Sequence, residues 1–271
     1  MHARSSDALA AKLDGWESVL RESAGQAGAL AAQVLGVVDI LDDSAGLRRA
    51  LTDPNRSGGD RAALASRVLE GKVDPVVVDL VAGMVRRQWS AEADLSHALA
   101  QVGRTTYLVS AEQAGRLEQV ESELHGVSRL MATNPELRSA LLDRDTSRVR
   151  REGLIDAVLG SKVSYETLQV VRRIFGKART ANVPGELVQT IDAAAARRAH
   201  LVASVRAAVP LSDQQIARLS DLLAQRYGRP VDVHVGIDPE VLGGIRVRVG
   251  DELLDDTISR RLDDARRRLS A

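Results

Sequence analysis

Apolar residues recur every third or fourth position through most of this chain and every second position near its end. Leu117, Val120, Leu124, Val127, Leu130 and Met131 have the spacing of one helix face. Asn134-Pro135-Glu136 then stops that helix and opens another, since Asn suits the cap and Pro the first helical position. Leu137, Leu141, Leu154, Val158, Leu159, Leu168, Val171, Ile174 and Phe175 continue the stripe through shorter helices. Earlier, Val34, Val37, Val38, Leu41, Leu47, Leu51, Leu64, Val68, Leu80, Val81 and Val85 do the same.

From about His200 the period changes. Leu201, Ala203 and Val205 alternate as a strand, and Ser212-Asp213-Gln214-Gln215 reads as a capping box. The helix it opens carries Ile216, Leu219, Leu223 and Tyr227 on one stripe and stops at Gly228, with Pro230 beyond. Val231, Val233 and Val235 alternate with Asp232 and His234; after Asp238-Pro239-Glu240, Ile245, Val247 and Val249 alternate with Arg246 and Arg248. Those are two half-buried strands joined by a turn. Gly243-Gly244 suggests a bulge or a close backbone approach rather than a phosphate cradle, because no helix start follows directly. Gly250-Asp251 marks a second turn, and Ile258, Leu262, Ala265 and Leu269 share one face of a closing helix.

Sliding the sequence by 90 positions lays Leu47–Ala91 on Leu137–Ala181 with 14 identities in 45 ungapped positions, among them Arg48/Arg138, Leu51/Leu141, Arg61/Arg151 and Lys72/Lys162. A duplication accounts for this better than shared composition does. The expected fold is mostly α with a small α/β C-terminal domain: two tandem helical bundles followed by a β-α-β-β-α module. The corresponding domains are 1–104, the first copy; 105–199, the second copy; and 200–271, the small α/β domain.

Composition narrows the function. Lys+Arg and Asp+Glu are both 37, so no net field draws a polyanion or a membrane surface. The aromatic residues are only Trp16, Trp89, Tyr107, Tyr165, Phe175 and Tyr227, too few for base-stacking platforms. Cysteine is absent, which excludes disulfides and thiolate metal sites. No apolar run approaches the ~20 residues that span a bilayer, and MHARSSDALAAKLD has no signal-peptide core. The expectation is a cytoplasmic protein that meets a membrane only through a partner.

Candidate chemistry is sparse. Gly71-Lys72 and Gly176-Lys177 lack the flanking glycine and hydroxyl of a phosphate loop, and read as helix ends followed by lysine. His2, His97, His125, His200 and His234 show no metal-ligand spacing; His97 and His125 read as helix-surface residues and His234 as part of a polar strand face. Asp255-Asp256 suits a helix start, Asp263-Asp264 a solvated face, and Arg266-Arg267-Arg268 the negative end of the last helix. Asn55-Arg56-Ser57 matches a glycosylation acceptor only formally. No nucleophile, base and oxyanion site assembles; no catalytic, cofactor-binding or metal-binding residue is expected. The composition and periodicity fit a scaffold.

Taken in order, Val205–Val209, Pro210-Leu211-Ser212, the helix Asp213–Tyr227, Val231–Pro239, Gly243-Gly244, Ile245–Val249, Gly250-Asp251 and Thr257–Leu269 form a pattern. It resembles the C-terminal signature of the delta subunit of F-type ATP synthases, whose mitochondrial counterpart is the oligomycin-sensitivity-conferring protein. Thr105–Ala271 spans that family's whole plan, including Asn134-Pro135-Glu136-Leu137-Arg138. Residues 1–104 are an added copy of the helical domain. The resemblance implies a non-catalytic peripheral-stalk subunit, peripheral at the cytoplasmic face of the plasma membrane, without cofactors. Its helical domain would bind the amphipathic N-terminal segments of the alpha subunits and its C-terminal domain the b subunits. By analogy with single-copy relatives, copy 105–199 is expected to keep the head-binding site. The competing reading is a cytoplasmic helical adaptor unrelated to rotary catalysis.

Overall fold

Four helices recur at a fixed interval in the computed structural model, which describes residues 15–23, 25–143, 145–176, 182–199, 201–228, 230–238, 241, 244–249 and 252–255. Contacts divide the chain into a unit ending at Ala194 and a unit beginning at Ala195. In the first, α1 covers residues 15–22. It is followed by α2 (Ala27–Asp43), α3 (Ala45–Thr52), α4 (Gly58–Leu69), α5 (Pro75–Val85) and α6 (Glu92–Gln113). Then come α7 (Leu117–Thr133), α8 (Pro135–Leu142), α9 (Arg148–Leu159), α10 (Tyr165–Gly176) and α11 (Val183–Ala199), the last of which runs past Ala194. The helices α7, α8, α9 and α10 each open 90 positions after α2, α3, α4 and α5.

The local causes repeat as well. Ser57 Oγ accepts the Asp60 amide at the start of α4, and Ser147 Oγ accepts the Arg150 amide at the start of α9. The Asp74 amide is bound by Gln33 Oε1, and the Ser164 amide, 90 positions on, by Glu123 Oε2. Arg61 and Arg151, each 2% exposed, are a buried charged pair of equivalent positions. Arg61 donates to the carbonyls of Val85 and Arg86, and Arg151 to those of Phe175 and Gly176. Each guanidinium thereby holds the C-terminal carbonyls of a neighbouring helix, at the negative end of its dipole. Asn134 differs from its expected role: its side chain does not cap α8 but donates to the Leu130 carbonyl and closes α7. Pro135 does open α8.

The boundary expected at 104/105 falls inside α6. Residues 105–112 correspond under the repeat to α1, so α6 is the last helix of the first copy and the first helix of the second. Arg104, Thr106, Tyr107, Leu108 and Val109 are buried and Thr105 is half-buried, a run longer than one helical turn. This stretch of the helix is therefore covered on nearly every side. Trp16 Nε1 donates to Thr106 Oγ1 at 2.8 Å and Gln113 Nε2 to the Leu20 carbonyl at 3.0 Å. Trp16 and Thr106 are themselves equivalent positions, so the copies meet at corresponding points of α1 and α6. One hydrophobic core runs from Trp16 to Ala194.

In the second unit, β1 (Leu201–Ala207), α12 (Asp213–Tyr227), β2 (Val231–Ile237), β3 (Ile245–Val249) and β4 (Glu252–Asp255) follow in order. The chain is thus mostly α with a small α/β C-terminal part. The capping box at Ser212 and Gln215 forms on both sides, and Gly228 ends α12 with φ 69°, a conformation that L side chains disfavour. Sheet order is β2-β1-β3-β4, with β1 parallel to β2 and antiparallel to β3. The strands 231–237 and 245–249, consecutive in sequence, are therefore not neighbours. The crossover through α12 sets β2 on one side of β1, and β3 takes the other. Strand β4, paired antiparallel with β3, is an element that periodicity does not announce in four residues. Gly244 has φ 80°, in keeping with backbone geometry as the use of that glycine. The closing helix expected at 257–269 lies outside the described residues.

If Arg151 staples α9 to the end of α10, Arg151→Ala costs about 2–4 kcal/mol in urea unfolding, because two buried carbonyls and a partly buried one lose a charged donor. Arg151→Lys recovers only part, since an ammonium cannot span the same acceptors. An unchanged midpoint for Arg151→Ala contradicts the assignment.

Candidate docking surfaces

The described residues contain no cluster of three or more His, Asp or Glu that could hold a metal ion, and no helix long and apolar enough to cross a membrane. His97 and His125 are exposed on α6 and α7. Gly71, with φ 72°, ends the turn after α4, and the Lys72 amide returns to the Leu69 carbonyl, as a plain helix end does. Gly176 is the last residue of α10, and Lys177 lies outside the described residues. Asn55 and Ser57 belong to the turn into α4, where Ser57 caps. Asp255 closes β4. His2, His200, Asp256, Asp263, Asp264 and Arg266–Arg268 lie outside the described residues, as does the side chain of His234.

What the helical unit offers is a layer of helices joined across the two copies. Helix α2 lies antiparallel along α6: Leu35 packs on Gly103, where an added Cβ would stand 2.5 Å from Leu35 Cδ2. At its start, Gly28 faces Ser110, whose Oγ donates to Glu166 Oε1 on α10. At its end, Asp39 pairs with Arg173 of α10 and, at 3.0 Å, with Arg148 of α9. So α2, from the first copy, packs along α6, and its Asp39 end reaches α9 and α10 of the second copy. Arg104 of α6 pairs with Glu186 of α11 at 2.7 Å beside this layer, and Arg116 pairs with the buried Glu166 at 2.7 Å.

Burial sets the electrostatics of the layer. Burial pushes the Asp39 carboxyl up, but the Arg148 hydrogen bond and the Arg173 charge outweigh it and hold the carboxyl below its ordinary value. Burial also lowers the Arg104 and Arg173 guanidinium pKa values, opposed by Glu186 and Asp39 respectively. The Tyr107 phenol is pushed up by burial, then by Tyr165 and Glu166. Tyr107 meets Tyr165 edge-on, with ring centroids 6.1 Å apart, and Tyr165 remains exposed at the start of α10.

At this clamp the repeat is broken. The positions equivalent to Arg148, Arg173 and Asp39 hold Gly58, Gly83 and Arg129. Periodicity could not flag these residues, but a comparison of the copies marks them: charges stand in one copy where the other has glycine or the opposite charge. In the C-terminal unit, Ala203, Val205, Val231, Val247 and Val249 face α12. The opposite sheet face carries exposed Arg206, Arg246 and Arg248, with Arg206 and Arg246 directly opposed across β1 and β3.

Residues 106–269 match the family model of the ATP synthase delta (OSCP) subunit. The chain is 47% identical, over 100% of each chain, to a protein of Beutenbergia cavernae named ATP synthase subunit delta. It is 42% identical to one of the same name from Streptomyces coelicolor, covering 100% of this chain and 99% of that one. A third, from Kineococcus radiotolerans, is 40% identical over 83% of this chain and 82% of its own. The family match begins inside α6, where the second copy begins, whereas the first two relatives match from end to end. The first copy therefore has a counterpart in each of them.

A carboxyl held low in the folded state stabilises the fold above its unfolded pKa, about 3.9 for Asp. That stabilisation is lost as pH falls through the folded value. Asp39→Asn should accordingly cost about 1–2 kcal/mol at neutral pH, limited by solvent screening of a partly exposed pair. It should also flatten the loss of stability below pH 4. Urea unfolding across pH measures both, and an unchanged pH profile contradicts the clamp.

Proposed function

Because the chain belongs to the ATP synthase delta (OSCP) subunit family, we propose that it ties the catalytic head of an F-type ATP synthase to the membrane-anchored b subunits. It is a structural subunit of the peripheral stalk. The helical unit holds the N-terminal segments of the alpha subunits, and the C-terminal α/β domain holds the cytoplasmic end of b. The mechanical need is plain: a rotor turning inside the head would carry the head with it unless the head were tied to the static membrane parts. The chain works at the cytoplasmic face of the plasma membrane, attached through partners.

The observation that carries this reading is the end-to-end likeness to proteins named ATP synthase subunit delta. The fold supplies what the role asks for. A single helical core with helix ends stapled by buried arginines resists shear, and helix-in-groove docking gives directional attachment. An adaptor unconnected with rotary catalysis leaves that likeness without a cause.

The tagged full-length chain, expressed in its own organism, is expected to retain alpha, beta and b subunits from detergent-solubilised membranes. Membranes stripped of it should hydrolyse ATP without pumping protons, and adding the chain back should restore pumping. Recovery of the chain free of these subunits, with pumping unaffected by its removal, rejects the role.

A further inference from the structure

Like charges directly opposed across a sheet destabilise it, so strand pairing ordinarily sets unlike or neutral side chains face to face. The outer face of the C-terminal sheet departs from this. Arg206 of β1 stands directly opposite Arg246 of β3, and Arg248 follows two residues on, opposite Ser204. All three arginines are exposed, while Val205, Val247 and Val249 face α12. On the other side of Arg206 the register places Gly236 of β2, where an added Cβ would stand 3.0 Å from Arg206 Nη1. Beyond Arg248 it places Leu253 of β4, and only Arg246 has an acidic residue, Asp255, across from it. The sheet thus gathers three guanidinium groups and sets no carboxylate directly opposite two of them. Composition does not cause this, because residues 200–271 hold eleven Arg against eleven Asp+Glu.

We propose that this arginine face docks an acidic helical segment from the cytoplasmic end of b. The inference rests on the stator reading above, and names within it the face used and the chemistry it selects. Spacing favours a helix as the occupant. Opposed side chains on paired strands start about 5 Å apart, and residues two apart along a strand about 6.6 Å apart. Helix positions i, i+3 and i+4 lie about 5–6 Å apart, so carboxylates there meet Arg206, Arg246 and Arg248 together. Each guanidinium can then bind a carboxylate through two parallel N–H donors. The chain's own last residues do not supply this charge: 256–271 hold five Arg and three Asp, and add to the positive side. A nucleic acid is disfavoured by the balance of the whole segment, which leaves no wide field for a polyanion. A short, matched acidic stripe is what the face selects, and its carboxylates offset the repulsion between Arg206 and Arg246.

The test uses the full-length chain and a soluble fragment of b from the same organism, lacking its membrane anchor, with Kd measured by calorimetry at low and high salt. Arg206→Glu and Arg248→Glu are each expected to weaken binding about tenfold or more, and the affinity of the unaltered chain should fall as salt rises. Arg218→Glu, on the exposed side of α12, should leave binding within about twofold. Arg206→Glu also gives Arg246 an unlike neighbour, so its unfolding midpoint should stay level or rise while binding is lost. If either reversal does not fold, Arg206→Gln or Arg248→Gln takes its place, with a loss of about threefold or more. Binding that survives both reversals, or falls as much with Arg218→Glu, overturns the assignment of the face and leaves the contact with b standing. If the unaltered chain does not bind the fragment at all, the stator reading itself fails at its b contact, and this inference falls with it.

Discussion

Burial of one stretch of helix on nearly all sides governs the helical unit. From Arg104 to Val109, α6 presents no face to water apart from part of residue 105, because α1, α2 and α10 reach it from different directions. A helix in that position cannot belong to one copy alone. Its first half completes the first repeat and its second half begins the next, so separating the copies would expose Tyr107, Leu108 and Val109 together. Burying such side chains stabilises by roughly 1.5–3 kcal/mol each, far more than a surface ion pair gives. Gly103 permits the closest of these contacts, since a larger residue would collide with Leu35.

That constraint explains where the repeat is kept and where it is broken. Arg61 and Arg151, and the Ser57 and Ser147 caps, act within a copy and recur unchanged. Asp39, Arg148 and Arg173 act between copies, where α2 meets the second copy, and have no counterparts at the equivalent sites. A duplicated domain that packs on itself covers a surface on one copy and leaves its equivalent on the other. The shared core makes the two copies one body rather than two hinged domains.

Much of the fold was legible from periodicity and capping chemistry. The repeat, the capping box at Ser212, the stop at Gly228 and the strands from Leu201, Val231 and Ile245 all follow from local pattern. The line at 104/105 could not be judged that way. The buried faces of α6 include Ser96, Arg104 and Thr106, and a hydrophobic stripe does not reveal polar or small residues buried against a distant copy. Pairing in the sheet was hidden for a related reason: alternation shows that residues 231–237 and 245–249 are strands but not that β1 runs between them. Asn134 satisfies the helix behind it rather than the one ahead, a choice between two nearby backbone groups that residue type leaves open. The clamp residues look like ordinary surface charges until the two copies are compared.

Native-state hydrogen exchange on the full chain, with denaturant added in steps, tests the shared-helix account most directly. If α6 serves both copies, amides of residues 104–109 exchange only through global unfolding of the helical unit, and helices α2–α5 and α7–α10 join the same transition. Two separate transitions, with 15–103 opening while 117–194 stay protected, would contradict it.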